Sequence, residues 1–179
     1  FWQRLPSLIF GIFTVWWVYK IGRDYFNEQT GQIAAVIIAL HPYHIFISTF
    51  GRTYSLLLCL SAISIYYFLK IFVKNQFLTR DLIILAAINL MMSYAHLTGF
   101  FVLIGETATV FFINTKRIKQ WVLVHIIPAA LWLVWAVPAF TSKMSGKESL
   151  GSAWFFNFQH GFLGILTPLK LIFFGQTNN

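Results

Sequence analysis

The residues able to do chemistry in this chain gather in two short polar breaks between long apolar runs. The first is His41-Pro42-Tyr43-His44-Ile45-Phe46-Ile47-Ser48-Thr49-Phe50-Gly51-Arg52-Thr53-Tyr54, with its histidines, tyrosines and arginine. The second is Ser93-Tyr94-Ala95-His96-Leu97-Thr98-Gly99. Arg52 is the only fixed positive charge between Arg23 and Lys70. An arginine at the bilayer centre costs roughly 2.5–3.5 kcal/mol on insertion scales, so Arg52 belongs at an interface or beside an aqueous cavity. There its planar guanidinium can grip an anion through two parallel hydrogen bonds. Among aromatic neighbours it can instead be a plain interfacial anchor. His41 and His44 are three apart, a spacing open to two readings: a divalent metal ion, or simple hydrogen bonding at an interface. His96 and Thr98 fall in a tight turn between apolar runs. His125 lies inside a later run and reads as structural, and His160 is unplaced, its aromatic neighbours favouring an interfacial role.

Composition says what must hold these residues. The chain has 179 residues, of which 58% are hydrophobic, 19% aromatic and only 10% charged. A soluble domain carries about 25% charged residues. Apolar runs close to the roughly 20 residues needed to cross a bilayer recur along the chain. The expected class is all-α, a polytopic transmembrane helical bundle. Net charge is +8. The basic residues sit in short clusters between apolar runs, which is the pattern of membrane topology and not of a nucleic-acid surface. Cys59 is the single cysteine, so neither an intrachain disulfide nor a cysteine-based metal site is expected. The chain opens on Phe1 without a signal peptide and stops soon after an apolar run, and is expected to be an internal piece of a longer protein.

About six full spans are expected: residues 5–21, 31–49, 52–73, 81–94, 100–114 and 121–140. Pro6 suits the start of the first, where the amides have no helical partner. Pro42 disfavours a helical conformation at His41, so the second span should kink or loosen there. Pro128 should kink or thin the sixth. Small residues recur on single faces: Ser7, Gly11 and Thr14; Gly31, Ala35 and Ala39; Ser55, Cys59 and Ala62. Such faces let membrane helices approach closely. The expected division is a transmembrane core over 1–140, then 141–179 as an external loop and an interfacial or partial membrane segment.

Orientation follows from lysine and arginine. Lys20, Arg23, Lys70, Lys74, Arg80, Lys116, Arg117 and Lys119 follow the odd-numbered spans, against Arg4, Arg52, Lys143 and Lys147 on the other side. The richer set is expected in the cytoplasm. His41, His44, Arg52, Tyr54, His96 and Thr98 then all gather on the outer side. Depth gives one more expectation. Asn89 and Glu106 are each about eight residues from the turn at 97–98, so both lie roughly 12–13 Å below it at 1.5 Å per residue. A lone carboxyl at that depth must be neutral, paired or in a cavity. A hydrogen bond from Asn89, holding the hairpin with Glu106 in a structural role, is expected. A transporter or channel is the rival class, but no internal repeat is present.

The motifs resemble a known group. Arg4-Leu5-Pro6-Ser7 opening a span is similar to the signature of the GT-C membrane glycosyltransferases. So are Gly31-Gln32-Ile33-Ala34-Ala35 running into Leu40-His41-Pro42-Tyr43-His44-Ile45, and Ser48 followed by Arg52-Thr53-Tyr54-Ser55-Leu56. Ser93-Tyr94-Ala95-His96-Leu97-Thr98-Gly99 resembles the histidine-bearing turn of that group. The closest types are the protein O-mannosyltransferase-like and aminoarabinose-transferase-like enzymes and the RgtA/B/C/D-like domain. The resemblance spans about residues 4–140. It implies transfer of a sugar from a polyprenyl-phosphate donor to a lipid, glycan or protein acceptor, by inverting displacement. The site would be extracytoplasmic, in a bacterial or archaeal plasma membrane, with membrane lipids as the other partners. It also implies a catalytic aspartate in an external loop before the first span seen here, so no residue of this chain is expected as the base. Arg52, Tyr54, His96 and His44 are the expected donor phosphate and sugar contacts, with no cofactor beyond the divalent metal left open at the histidine pair. The alternative for Glu106 is that it faces the donor cavity.

Overall fold

The computed structural model describes residues 4–144. The chain divides into two compact units, residues 1–132 and residues 133–179. Of the second, residues 133–144 are described, and they are the last part of one helix. The described residues form seven α-helices: α1 Leu5–Tyr25, α2 Glu28–Leu40, α3 Pro42–Thr49, α4 Tyr54–Phe68, α5 Thr79–Ala95, α6 Gly99–Ile113 and α7 Ile118–Met144. No strand occurs among them, and the all-α expectation is met.

Local chemistry sets the boundaries. Pro6 sits in the first turn of α1. Asn27 caps α2, its side-chain oxygen accepting from the Thr30 amide at 2.8 Å. Pro42 ends α2 and opens α3, with His41 extended between them. The two helices meet at 61°, so the expected loosening is a true break. α4 continues into a π-helical stretch, Leu69–Val73. Two residues beyond it, Asn75 takes the left-handed region, at φ 55°. α7 passes Pro128 without interruption and runs on to Met144. The polar segment expected from residue 141 therefore starts as helix. The rest of that loop and the segment 154–174, with Lys147, Glu148 and His160, lie outside the described residues.

Among the described residues three helices are long and apolar enough to cross a membrane: Leu5–Tyr25, Tyr54–Val73 and Thr115–Pro138. The bent pair α2–α3 makes a fourth if taken as one span. All six expected segments are helical, but α5 and α6 have 17 and 15 residues. At 1.5 Å per residue that is roughly 22–26 Å, short of a full hydrocarbon crossing.

The packing inverts that of a soluble protein. Ser7, Gly11, Thr14, Ser48, Ser55, Ser64, Asn89 and Ser93 are buried. Ile12, Ile33, Ile37 and Phe101 are each more than 60% exposed. Against lipid there is no hydrophobic drive to bury leucine, so association rests on close approach and interhelical hydrogen bonds. The small-residue faces serve that approach. A Cβ on Gly11 would collide with Ser48, and one on Gly22 would lie 2.6 Å from the Gly31 Cα. A large apolar cluster joins Phe68, Ile71, Phe72, Leu85, Val110 and Trp121.

The two ends of the first unit differ. At one end Tyr66 donates to Asp24 at 3.0 Å, and Tyr25 donates to the Tyr66 carbonyl at 2.7 Å. Lys74 lies over Tyr25, Arg117 lies over Phe77, and Asn114 donates to the Phe72 carbonyl. Lys70 and Asp81 pair at 2.7 Å. These contacts bring the three basic loops together, as the charge pattern predicts. At the opposite end the start of α1, the α3–α4 link and the α5–α6 turn meet.

Candidate functional site

The α3–α4 link, residues 50–53, is the centre of that second end. Gly51 takes φ 69°, a left-handed conformation that reverses the chain at little cost only for glycine. Ser7 of α1 donates to the Arg52 carbonyl at 3.4 Å, tying the link to the first helix. Arg52 itself is exposed, with its guanidinium carbon 5.1 Å from the centre of the Phe50 ring. Tyr54 begins α4, and its ring lies against His96 with centroids 5.2 Å apart. Two of the four expected contacts, distant in sequence, are thus neighbours, and Arg52 precedes Tyr54 by two residues.

His96 is shaped by its turn. Its Nδ1 accepts from the Thr98 amide at 3.2 Å and lies 2.8 Å from Thr98 Oγ1. An acceptor Nδ1 leaves the neutral ring's proton on Nε2. Burial pushes the His96 pKa below its ordinary value, which favours that neutral ring. Gly99 closes the turn where a Cβ would meet the Met92 side chain and carbonyl.

His44 is placed differently. It is only 6% exposed, engages the backbone of Gly11 and has no hydrogen-bond partner at Nε2. It serves the α1–α3 packing. Among the described residues no three histidine, cysteine, aspartate or glutamate side chains come together.

The expected hydrogen bond from Asn89 to Glu106 is present, at 3.3 Å. Two further partners were not foreseen. Ser64 lies 2.5 Å from Asn89 Oδ1 and 2.6 Å from Glu106 Oε1. His125, read as structural, stands 2.8 Å from Asn89 Nδ2. Depth arithmetic found the α5–α6 pair, and the same arithmetic applied to α4 and α7 would have pointed to the other two. The other described carboxylates, Asp24, Glu28 and Asp81, belong to the basic end, bonded to Arg23, Tyr19 and Lys70.

A helical bundle with exposed apolar sides, one basic end and one aromatic–cationic end has the build of an integral-membrane protein. The family model for dolichyl-phosphate-mannose-protein mannosyltransferases matches residues 1–142. The chain belongs to this GT-C family and is a mannosyltransferase-like membrane glycosyltransferase. No curated protein and no solved structure matches it.

Proposed function

We propose that the end of the bundle carrying Arg52, Tyr54 and His96 holds the phosphate and sugar of a polyprenyl-phosphate-linked mannose or related sugar. The sugar then passes to a lipid, glycan or protein acceptor on the extracytoplasmic side of a bacterial or archaeal plasma membrane. The observation that carries this reading is the contact between Tyr54 and His96, with the exposed Arg52 guanidinium at the same helix start. A lipid-phosphate donor needs a cation at the membrane surface, a polar aromatic wall for its sugar and an apolar flank for its tail. Arg52 supplies the first, Tyr54 and His96 the second, and the exposed isoleucine and phenylalanine faces the third.

In an inverting displacement the acceptor oxygen attacks the anomeric carbon as the bond to the donor phosphate breaks. Negative charge grows on the leaving phosphate oxygen. Arg52 is the group that meets it, through two parallel N–H donors. The neutral ring of His96 and the Tyr54 ring beside it form the wall against the sugar. No described carboxylate lies at this end, so the base that takes the acceptor proton is not assigned to residues 4–144.

The test is transfer of labelled mannose from a polyprenyl-phosphate donor by the full chain in proteoliposomes. A hydrogen bond to a charged group is worth about 1.5–3 kcal/mol, so Arg52→Ala should lower kcat/KM roughly tenfold to a hundredfold. Arg52→Lys should restore little, because a point charge lacks the fork. Wild-type turnover in Arg52→Ala would remove the arginine from the site.

A further inference from the structure

The polar cluster two helical turns below the His96 turn has a hydrogen count that its geometry decides. Ser64 of α4, Asn89 of α5, Glu106 of α6 and His125 of α7 meet there. All but His125 are buried, and His125 is half-buried. Four contacts join them, and each needs one hydrogen between its two heavy atoms.

The donors can be counted. His125 Nδ1 lies 2.8 Å from the Trp121 carbonyl, which can only accept. The neutral ring's proton is therefore on Nδ1, and Nε2 is an acceptor. The Asn89 amide carries two hydrogens. One goes to His125 Nε2 at 2.8 Å and the other to Glu106 Oε2 at 3.3 Å. That leaves the two contacts of Ser64 Oγ, at 2.5 Å to Asn89 Oδ1 and 2.6 Å to Glu106 Oε1. A hydroxyl has one hydrogen and cannot fill both. If Glu106 were a carboxylate, two oxygen lone pairs would face each other at one of these short separations. Among the described residues the ion pairs are Arg23–Asp24 and Lys70–Asp81, and no cation accompanies Glu106.

We propose that Glu106 is held as a neutral carboxylic acid whose proton completes a hydrogen-bond circuit clamping α4, α5, α6 and α7. Glu106 Oε1–H donates to Ser64 Oγ, the Ser64 hydroxyl donates to Asn89 Oδ1, and the Asn89 amide donates to Glu106 Oε2 and His125 Nε2. Every hydrogen in these contacts is then used once and faces an acceptor, as a buried polar network requires. The circuit ties the α5–α6 hairpin to its neighbours on both sides. The assignment is independent of the donor-site reading.

One other arrangement uses the same atoms. Reversing the Asn89 amide turns its oxygen toward both His125 Nε2 and Glu106 Oε2. The ring then needs protons on both nitrogens, and the 3.3 Å contact still needs the Glu106 proton, now on Oε2. Glu106 is thus neutral in either orientation, and infrared spectroscopy of the full chain in lipid tests that neutral acid. The protein should show a protonated-carboxyl C=O band that shifts in heavy water and is missing in Glu106→Gln. Lack of the band, or its survival in Glu106→Gln, overturns the proposal. Substitution gives an independent reading. Glutamine copies the protonated acid, its amide donating to Ser64 and its oxygen accepting from Asn89. Glu106→Gln should therefore unfold at the wild-type midpoint in detergent, while Glu106→Ala unfolds well below it. A Glu106→Gln protein as unstable as Glu106→Ala would show that the position needs the carboxylate.

Discussion

Gly22 and Gly31 set the spacing of the α1–α2 hairpin, and replacing either should force the two helices apart. A Cβ at Gly22 would sit 2.6 Å from the Gly31 Cα, 2.8 Å from its nitrogen and 3.1 Å from the Thr30 carbonyl carbon. One at Gly31 would meet the Tyr19 carbonyl oxygen at 2.7 Å and the Arg23 nitrogen at 2.9 Å. All of these are backbone atoms, so no side chain can swing clear. Ordinary contact begins near 3.4 Å, so the helices must open by about 1 Å, and such overpacking costs about 1–3 kcal/mol. Alanine returns up to about 1 kcal/mol of helix propensity. Gly105 is the control, because a Cβ there meets nothing within 4 Å. Gly22→Ala and Gly31→Ala should lower the unfolding free energy in mixed detergent by about 1–2 kcal/mol net, whereas Gly105→Ala should be neutral or raise it. The double variant should cost less than the sum, since one opening relieves both clashes. If Gly22→Ala proved as stable as Gly105→Ala, close backbone approach would not be what holds this hairpin.

Two further outcomes are expected. Burial holds the His96 pKa below its ordinary 6.5, so the unfolded chain binds the extra proton first as pH falls. Stability attributable to this group should be intact above 6.5 and decline as pH drops toward the lowered value. Transfer should fall over the same acid range, as protonation takes the Nδ1 lone pair from Thr98. His96→Asn, which keeps an acceptor for the Thr98 amide, should lose that acid limb, and an unchanged profile would refute the assignment. For topology, single cysteines at Phe50 and Lys119 should react with an impermeant maleimide from opposite sides, with Lys119 cytoplasmic. Cys59 is buried and should stay silent. Labelling of both from one side would reverse the proposed placement of the site.

What the sequence makes legible here is whatever depends on position along a helix axis. Apolar length marks the helices, and Pro42 marks the break between α2 and α3. The basic loops mark one end, and the interval from the 97–98 turn gives the shared depth of Asn89 and Glu106. What it hides is rotation about those axes. Gly22 lies among Ile21, Arg23 and Asp24 and gives no hint that its bare face meets Gly31. Ser64 sits in an apolar run as an ordinary small residue until α4 is turned toward both Asn89 and Glu106. His44 shares the Arg52 end of the bundle along the axis, yet rotation sends its ring into the α1–α3 packing. The end of α7 has a different cause, for the helix runs past the residue where a loop is expected. Thr141, Ser142 and Lys143 are polar, but polarity ends only the membrane-buried length and not the backbone hydrogen bonding.

These two kinds of information meet at the site. Axial position alone places Arg52, Tyr54, His96 and His44 at one end, and only rotation selects among them. α4 starts with Tyr54 turned to the α5–α6 turn, and that turn is held from below by Asn89 and Glu106 on its two arms. The hairpin clamp and the Tyr54–His96 contact are therefore coupled through α4, which gives Ser64 to one and Tyr54 to the other. Ser64 lies ten residues beyond Tyr54, roughly 15 Å along the axis at 1.5 Å per residue. One rigid helix thus fixes the rotation of both. A change that turns α4 should disturb the donor end and the buried circuit together, whereas loss of Arg52 should leave the circuit untouched.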